Sequence, residues 1–232
     1  MFGGQPMFGH QRFSDRFEAG RELAHSLALE RGEPTVVVGL ARGGVQVASE
    51  VARVLDVPLD AVAVRKVGHP MQPEYAVGAV APGGVAYVRA RDGLTGTELA
   101  AAVAAASVAA DELDRRLHGR QPPVPLAGKT AVLVDDGLAT GATMIAAARW
   151  ARAAAAGRIV AAIPVGATQT IALLRDEVDE VVCVRESESF GAVGFWYGHF
   201  DQVGDDEVVR LLAEAASRQG DAHRPRLSLR TP

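Results

Sequence analysis

Short runs of apolar, often β-branched residues alternate with helical patterns along most of this chain, and this alternation constrains the fold more than any other feature. The runs predict five strands: TVVVGL, LDAVAV, TAVLVD, RIVAAIPV and EVVCV. Because they are almost continuously apolar, they are typical of parallel strands that crossover helices cover on both faces. The sequence therefore predicts an α/β fold, a doubly wound and mainly parallel sheet flanked by helices.

The segments between these strands carry helix signals. The first helix is predicted to begin at Ser14 or Asp15, with Glu18 placed to complete a capping arrangement. A second helix opens on GGVQVASEVARVL, and a long alanine-rich helix is stopped by HGRQPPVPLAG, because proline cannot continue a helix. The remaining helices are predicted over about 142–156, 168–175 and 205–217.

One segment interrupts the alternation of strands and helices. In AVGAVAPGGVAYV two short apolar runs flank Pro82-Gly83-Gly84, a pattern that predicts a β-hairpin. We expect this hairpin to form an appendage within residues 66–94, roughly, beside the main sheet.

Composition bounds the organisation of the chain. Its 232 residues, 48% of them hydrophobic, can bury one sizeable core. The periodic patterns span residues 13–217, which predicts one main domain, and we expect loose tails over 1–12 and 218–232. Cys183 is the only cysteine, which excludes an intrachain disulfide framework and a cysteine-rich metal site.

Charge and hydropathy exclude several partners. With 24 basic and 28 acidic residues the net charge is −4, so the sequence does not predict nucleic-acid binding. No apolar run approaches the roughly 18 residues of a membrane span, and the N-terminal residues do not resemble a signal peptide. We therefore expect a cytoplasmic protein with no membrane partner.

The stretch VLVDDGLATGATM, residues 132–144, places two carboxylates where a predicted strand passes into a helix. Ligands of such sheets bind beside the carboxyl ends of the strands. Gly137 and Gly141 permit tight turns, and the amides at the start of the helix favour an anion. No lysine follows the glycine, so the loop differs from the nucleoside-triphosphate pattern and predicts a site for a single phosphate.

Asp135 and Asp136 need hydrogen-bond donors, because ionised carboxylates beside an apolar strand are costly when unpaired. The two hydroxyls of a ribose would supply such donors next to the phosphate. The motif therefore predicts a site for ribose 5-phosphate.

This motif resembles the phosphoribosylpyrophosphate (PRPP) motif of the type I phosphoribosyltransferases. The resemblance implies transfer of the phosphoribosyl group to a nitrogenous base, with Mg²⁺ held by Asp135 and Asp136 directly or through water. It also implies a flexible lid over about 66–94 and a C-terminal hood over about 185–203. The residues implied at the 5′-phosphate are Gly137, Ala139, Thr140, Gly141, Ala142 and Thr143.

Two further segments resemble the part of that family's site that receives pyrophosphate. The first is LARGG, residues 40–44, in which Ala41, Arg42, Gly43 and Gly44 would form the binding loop. The second is VRKVGHP, in which Arg65 and Lys66 would be catalytic by neutralising the leaving group. The alternative is structural: two glycines that open a helix, and basic residues at a solvated loop end.

The hood region SESFGAVGFWYGHF concentrates aromatic residues in a chain that has only 5% of them. By resemblance it would cover the base, and Phe190, Phe195 and Trp196 are the candidates for stacking on it. A hydrophobic plug that fastens the last helix is an equally good interpretation of these rings.

The identity of the acceptor is left open. Family members that act on 6-oxopurines carry an acidic residue immediately before Thr-Gly, whereas this chain has Ala139, which disfavours hypoxanthine and guanine. The alternative function is a regulatory module of the same fold that binds PRPP or a nucleotide without turnover. A homodimer is usual in the family, but the sequence does not define the oligomeric state.

Overall fold

The structure, a computed structural model, describes residues 12–29, 32–89, 93–119 and 122–222. Its strands are β1 (Thr35–Leu40), β2 (Leu59–Val62), β3 (Arg65–His69), β4 (Gln72–Ala81), β5 (Val85–Val88), β6 (Thr130–Val134), β7 (Arg158–Ala167) and β8 (Glu180–Ser187). Its α-helices are α1 (Arg16–Ser26), α2 (Gly43–Leu55), α3 (Gly96–His118), α4 (Ala142–Ala153), α5 (Thr168–Leu174) and α6 (Asp205–Ala222).

Five parallel strands form the central sheet in the order β2-β1-β6-β7-β8, which confirms the predicted α/β fold. β1 lies at the switch point, paired with β2 on one side and β6 on the other. The loops that follow these strands leave the same edge of the sheet, where ligands of such folds bind.

Both faces of this sheet are buried, which explains why its strands are apolar throughout. Alternate side chains of β1 point to opposite sides: Val37 packs with α2 and α6, whereas Val36 and Val38 pack with α4 and α5. The sheet is therefore a rigid layer, and its carboxyl edge holds the attached loops in fixed positions.

The predicted hairpin is part of a larger unit, the lid sheet β3-β4-β5, which is antiparallel. Pro82–Gly84 forms the predicted turn, but Arg65 and Lys66 lie on a third strand, where the sequence predicted the start of a loop. That strand forms because Val67 packs against α3. Ala79 and Ala81 pack on the opposite side, near α4, so the base of the lid sheet is enclosed on both faces.

Helix boundaries differ from the predictions mainly at their C-terminal ends. α1 begins after Asp15, whose carboxylate accepts the Glu18 N–H as predicted. α4 ends at Ala153, before a left-handed residue at Ala155, and α6 continues to Ala222. Polar residues alone do not stop a helix, which explains the longer α6. Of the tails predicted over 1–12 and 218–232, residues 218–222 instead belong to α6, and residues 1–11 and 223–232 lie outside the described residues.

Candidate functional site

Asp135 and Asp136 follow the fully buried β6 and form what we call the acid turn. The Asp136 N–H donates to Oδ1 of Asp135 at 2.9 Å. Burial and the neighbouring charge of Asp136 raise the pKa of the Asp135 carboxyl well above its usual value, although the charge of Lys66 opposes this rise. The acid turn is therefore a costly arrangement of like charges at the edge of the sheet.

Arg16, which the sequence analysis did not identify, partly offsets that cost. Its Nε donates to Oδ2 of Asp136 at 2.8 Å, and its Nη1 donates to the backbone oxygen of Asp201 at 2.8 Å. The guanidinium carbon lies 3.8 Å from the centre of the Phe200 ring. Burial raises the pKa of Asp136, and the Arg16 charge opposes that rise. Only Asp136 is paired: none of the ion pairs among the described residues includes Asp135.

The phosphate turn, residues 137–143, leads from the acid turn into α4. Leu138 fixes it to the sheet, because its N–H donates to the Val165 oxygen and its own oxygen accepts the Ala167 N–H, both at 2.9 Å. Gly141 has a φ of +77°, a conformation that favours glycine, directly before the helix. The turn therefore places the free amides of the first turn of α4 beside the acid turn.

Within the phosphate turn, the predicted phosphate-binding residues lie together as one continuous segment. Ala139 and Thr140 are exposed, and Thr143 is partly buried in the first turn of α4. The Thr170 hydroxyl donates to the Ala139 oxygen at 2.7 Å, which holds the exposed part of the turn in place. The segment thus presents backbone amides and threonine hydroxyls to solvent in a fixed conformation.

The loop after β1 approaches the acid turn closely. A side chain on Gly43 would collide with Oδ2 of Asp136, and a Cβ on Gly44 would lie 2.5 Å from the Val134 oxygen. Only glycine permits this approach at both positions. The structure therefore brings together the two segments that the sequence analysis had connected only through the family resemblance.

Arg42, the residue before Gly43, belongs with Arg65 to an arginine cluster that is completed by Arg116 of α3 and by Asp205, the first residue of α6. Asp205 lies between two of the arginines: Oδ1 is 3.5 Å from Nη1 of Arg42, and Oδ2 is 3.2 Å from Nε of Arg116. Burial and the charge of Arg42 lower the pKa of Arg65. Neither Arg116 nor Asp205 was predicted, because each lies in a helix far along the chain.

The hood aromatics divide into buried and exposed rings. Phe190 and Trp196 are 6% and 4% exposed and stack with centroids 5.8 Å apart, in a cluster with Phe13. Phe195 is 57% exposed, so of the three predicted base-binding residues it is the one whose ring faces solvent. Base stacking by these three residues stays a prediction. Phe190 and Trp196 pack with residues of α1, β7 and β8, and their cluster contains no described residue of α6, the helix that the predicted plug would fasten.

Tyr197 connects the hood to the acid turn, a role that the sequence analysis missed. Its hydroxyl donates to the backbone oxygen of Asp136 at 2.6 Å. Val193 packs over Gly137, where a Cβ would lie 2.6 Å from its Cγ1. The hood therefore covers the turn between the two acids and the phosphate turn.

A cavity of about 400 Å³ lies where these segments meet. Arg16, Arg42, Gly43 and Asp136 line one side, and residues 200–203 line the other. A larger cavity of about 550 Å³ lies between β3 and α3; Lys66, His69 and Glu98 line it together with four alanines of α3, and its surface is mainly apolar. Since binding sites combine a concavity with convergent polar groups, the smaller cavity is the better candidate.

Among the described residues, no group of three or more His, Cys, Asp and Glu side chains is arranged to hold a metal ion. No helix in the same part of the chain has the length and apolar character needed to cross a membrane.

Comparison with known proteins identifies a common family. The phosphoribosyl transferase domain model matches residues 13–195. The Mycobacterium tuberculosis H37Rv protein named "Putative phosphoribosyl transferase Rv0571c" is 47% identical over 209 residues, which are 88% of this chain and 47% of that protein. The chain therefore spans about half the length of the curated relatives it matches. The protein TT1426 from Thermus thermophilus is 40% identical, with a TM-score of 0.76 over 88% of this chain and 99% of that one.

Proposed function

The chain belongs to the phosphoribosyltransferase family, and we propose that it transfers the 5-phosphoribosyl group of PRPP to a nitrogenous base with release of pyrophosphate. One observation carries the proposal beyond the family: the acid turn, the phosphate turn and the arginine cluster converge along one edge of the sheet. Gly43 lies against the Asp136 carboxylate, while Arg42 reaches the arginine cluster. A ligand with a phosphate, a sugar and a pyrophosphate matches that order of groups.

The sugar phosphate would occupy the acid and phosphate turns. The amides at the start of α4 and the hydroxyls of Thr140 and Thr143 would hold the 5′-phosphate. Asp135 and Asp136 would accept the two ribose hydroxyls, with Arg16 keeping the second carboxylate ionised. Rigid placement of these groups supports catalysis by positioning the anomeric carbon.

The pyrophosphate would extend toward the arginine cluster. As the bond at the anomeric carbon breaks, negative charge increases on pyrophosphate, so fixed positive charges lower the barrier. We assign this role to Arg42, Arg65 and Lys66, because the first two lie in the arginine cluster and the third is close enough to lower the pKa of Asp135. The lid sheet, which carries Arg65 and Lys66, would also keep water from the activated sugar.

Magnesium fits the donor set of the acid turn. The acid turn offers the two carboxylates of Asp135 and Asp136, and the second of these already binds Arg16. Mg²⁺ commonly takes one or two carboxylates and completes its shell with water and substrate phosphates. When bound, the ion would neutralise charge on pyrophosphate, and the carboxylates would hold it directly or through water.

The acceptor is a flat nitrogenous base covered by the hood. Phe195, with its exposed ring, is placed to stack on such a base. Ala139 lies exposed in the phosphate turn where 6-oxopurine enzymes carry an acid, so we propose an acceptor other than hypoxanthine or guanine.

Pyrophosphate release from PRPP and Mg²⁺, measured with a panel of purine and pyrimidine bases, tests the proposal. We expect saturable release with at least one base. Saturable PRPP binding without release for any base would instead support the non-catalytic regulatory module.

Asp135→Asn tests the site itself. The variant keeps the shape of the side chain and the acceptor for the Asp136 N–H, but it removes one charged acceptor for a ribose hydroxyl. We expect PRPP to bind about tenfold more weakly or worse, since hydrogen bonds to charged groups are worth roughly 1.5–3 kcal/mol. Asp176→Asn, on the turn after α5, is the matched control. An unchanged PRPP affinity in Asp135→Asn would remove this carboxylate from the site.

A further inference from the structure

The arginine cluster has more positive charge than its single carboxylate can neutralise. Three guanidinium groups come from three separate elements: Arg42 from the loop after β1, Arg65 from β3 and Arg116 from α3. Among the residues that the structure describes, Asp205 is the one carboxylate paired with Arg42 and with Arg116. The positive charges of Arg42 and Arg116 both lower the pKa of Arg65, although burial contributes more to that shift.

The contacts within the arginine cluster are also incomplete. Among the described residues, Nε of Arg65 and Oδ1 of Asp205 are buried atoms that have no hydrogen-bond partner. Buried polar atoms are normally satisfied, and an unsatisfied one indicates a missing water, ion or ligand. In this arrangement Asp205 contacts Arg42 and Arg116 and leaves Nε of Arg65 without a partner, whereas a diphosphate carries more charge and more acceptor oxygens.

Asp205 is accessible enough to be displaced. Its side chain is 32% exposed, and those of Arg42 and Arg116 are 33% and 54% exposed. Its 3.5 Å contact with Arg42 is longer than a normal hydrogen bond. Ion pairs of this kind, partly exposed and imperfectly aligned, contribute little to stability and exchange their partners easily.

We propose that Asp205 is a resident counter-ion of the arginine cluster, which pyrophosphate or the diphosphate group of PRPP must displace, and that Arg116 is a further binding residue for that diphosphate. This inference rests on the proposed function and adds a competition within the same site. Asp205 pairs with Arg42 and Arg116 and so competes with anions from solvent, until a ligand of higher charge displaces it. The carboxylate therefore weakens diphosphate binding and favours release of the product.

Calorimetric titration of the full chain with pyrophosphate, with and without Mg²⁺, tests the competition. We expect Asp205→Asn to bind pyrophosphate about tenfold more tightly than the unmodified protein, because one nearby negative charge is removed. Increasing the ionic strength from about 0.05 to about 0.5 M should reduce this difference, since screening weakens exposed charges. Pyrophosphate should also inhibit Asp205→Asn more strongly in the turnover assay.

Asp206→Asn is the matched control. It removes the same charge from the same first turn of α6, but Asp206 is exposed and has no ion pair to the arginine cluster. Asp206→Asn should bind pyrophosphate as the unmodified protein does. If Asp205→Asn binds pyrophosphate no more tightly than Asp206→Asn does, the proposed competition is wrong. A carboxylate that only positions Arg42 would make the protein bind pyrophosphate more weakly when it is removed.

The role of Arg116 is tested in the same way, with Arg115 as its neighbour on α3. Arg116→Gln should weaken pyrophosphate binding about threefold, and Arg115→Gln should leave it unchanged. Equal affinities in these two variants would exclude Arg116 from the diphosphate site. If the protein still turns over PRPP when the Arg116 prediction fails, the proposed function stands and only this inference is wrong. Absence of turnover with every base would instead contradict the proposed function.

Discussion

The acid turn lies against Gly43 and the arginine cluster begins at the preceding residue, Arg42, yet the ion pairs of the two regions differ in length and in exposure. At the acid turn, Nε of Arg16 lies 2.8 Å from Asp136, and the two side chains are 8% and 16% exposed. In the arginine cluster, Arg42 lies 3.5 Å from Asp205, and both are about one third exposed. The first pair is enclosed and well aligned, whereas the second is open and long.

This difference suits the two groups that the acid turn and the arginine cluster would bind. A sugar phosphate must be oriented, which requires acceptors that do not move, and the enclosed pair supplies them. A pyrophosphate must bind and then leave, which is easier where a charged partner can be exchanged. The comparison therefore predicts that removing charges at the acid turn changes stability strongly, while the same change in the arginine cluster mainly affects ligand binding.

Arg16→Ala should have the largest effect on stability. It leaves the buried Asp136 carboxylate unpaired and removes the packing of the guanidinium on Phe200. Breaking one side of a buried ion pair typically costs about 3 kcal/mol or more of unfolding free energy. Urea denaturation followed by circular dichroism measures this change.

Arg21→Ala on the same helix is the control for Arg16→Ala. The Arg21 side chain is about half exposed, and Glu50 keeps a second ion pair with Arg53, so the loss of the 3.4 Å Arg21–Glu50 pair should cost less than about 1 kcal/mol. The double variant Arg16→Met, Asp136→Asn should recover much of the lost stability, because neither charge then remains buried alone. A cost for Arg16→Ala no greater than that of the control would show that the acid turn is not the enclosed region described above.

The sequence predicted the sheet because its five strands are apolar on both faces, a pattern that few other folds produce. It predicted the acid and phosphate turns because their chemistry is local: two acids, two glycines and two threonines within residues 135–143. The lid sheet was only partly predicted. The strand that carries Arg65 and Lys66 is stabilised by contacts of Val67 with α3, which begins about 30 residues later.

The parts of the site that were missed are distant in sequence. Arg16 meets Asp136 across 120 positions, and Tyr197 reaches the same residue from 61 positions away. An arginine in a first helix or a tyrosine in an aromatic segment carries no local signal of such a partner. The need for one was nevertheless visible, because two adjacent buried carboxylates require compensating donors. That requirement predicts that a partner exists without identifying it.

Asp135→Asn sharpens the comparison because stability should increase while PRPP binding decreases. The folded state raises the pKa of Asp135 well above the ordinary value of 3.8, so the ionised form destabilises the fold. We therefore expect Asp135→Asn to be more stable than the unmodified protein at pH 7. The variant also relieves the repulsion that Asp136 experiences.

The pH dependence of stability gives an independent test of whether the ionised Asp135 carboxylate destabilises the fold. Below the unfolded-state pKa, Asp135 is protonated in both states and contributes no difference. As the pH rises from 3.8 through the raised folded-state pKa, the unmodified protein should lose stability relative to Asp135→Asn. Thermal unfolding of both proteins between about pH 4 and pH 8 measures this difference in stability. A stability difference that stays constant across this range would mean that the pKa of Asp135 is not raised in the folded protein.

Tyr197→Phe should have the smallest effect of the three and tests how the hood is attached to the acid turn. The substitution keeps the ring but removes the hydroxyl that donates to the Asp136 oxygen, which should cost about 1 kcal/mol of unfolding free energy. Tyr87→Phe is the control, because the described structure gives that hydroxyl no hydrogen bond and the ring keeps its contact with Arg149.

Hydrogen exchange adds a local measurement: if the hydroxyl fixes the hood, the amides of residues 193–198 should exchange faster in Tyr197→Phe than in Tyr87→Phe. Equal exchange in the two variants would mean that ring packing alone holds the hood, and the acid turn would then owe its rigidity to Arg16 rather than to this contact.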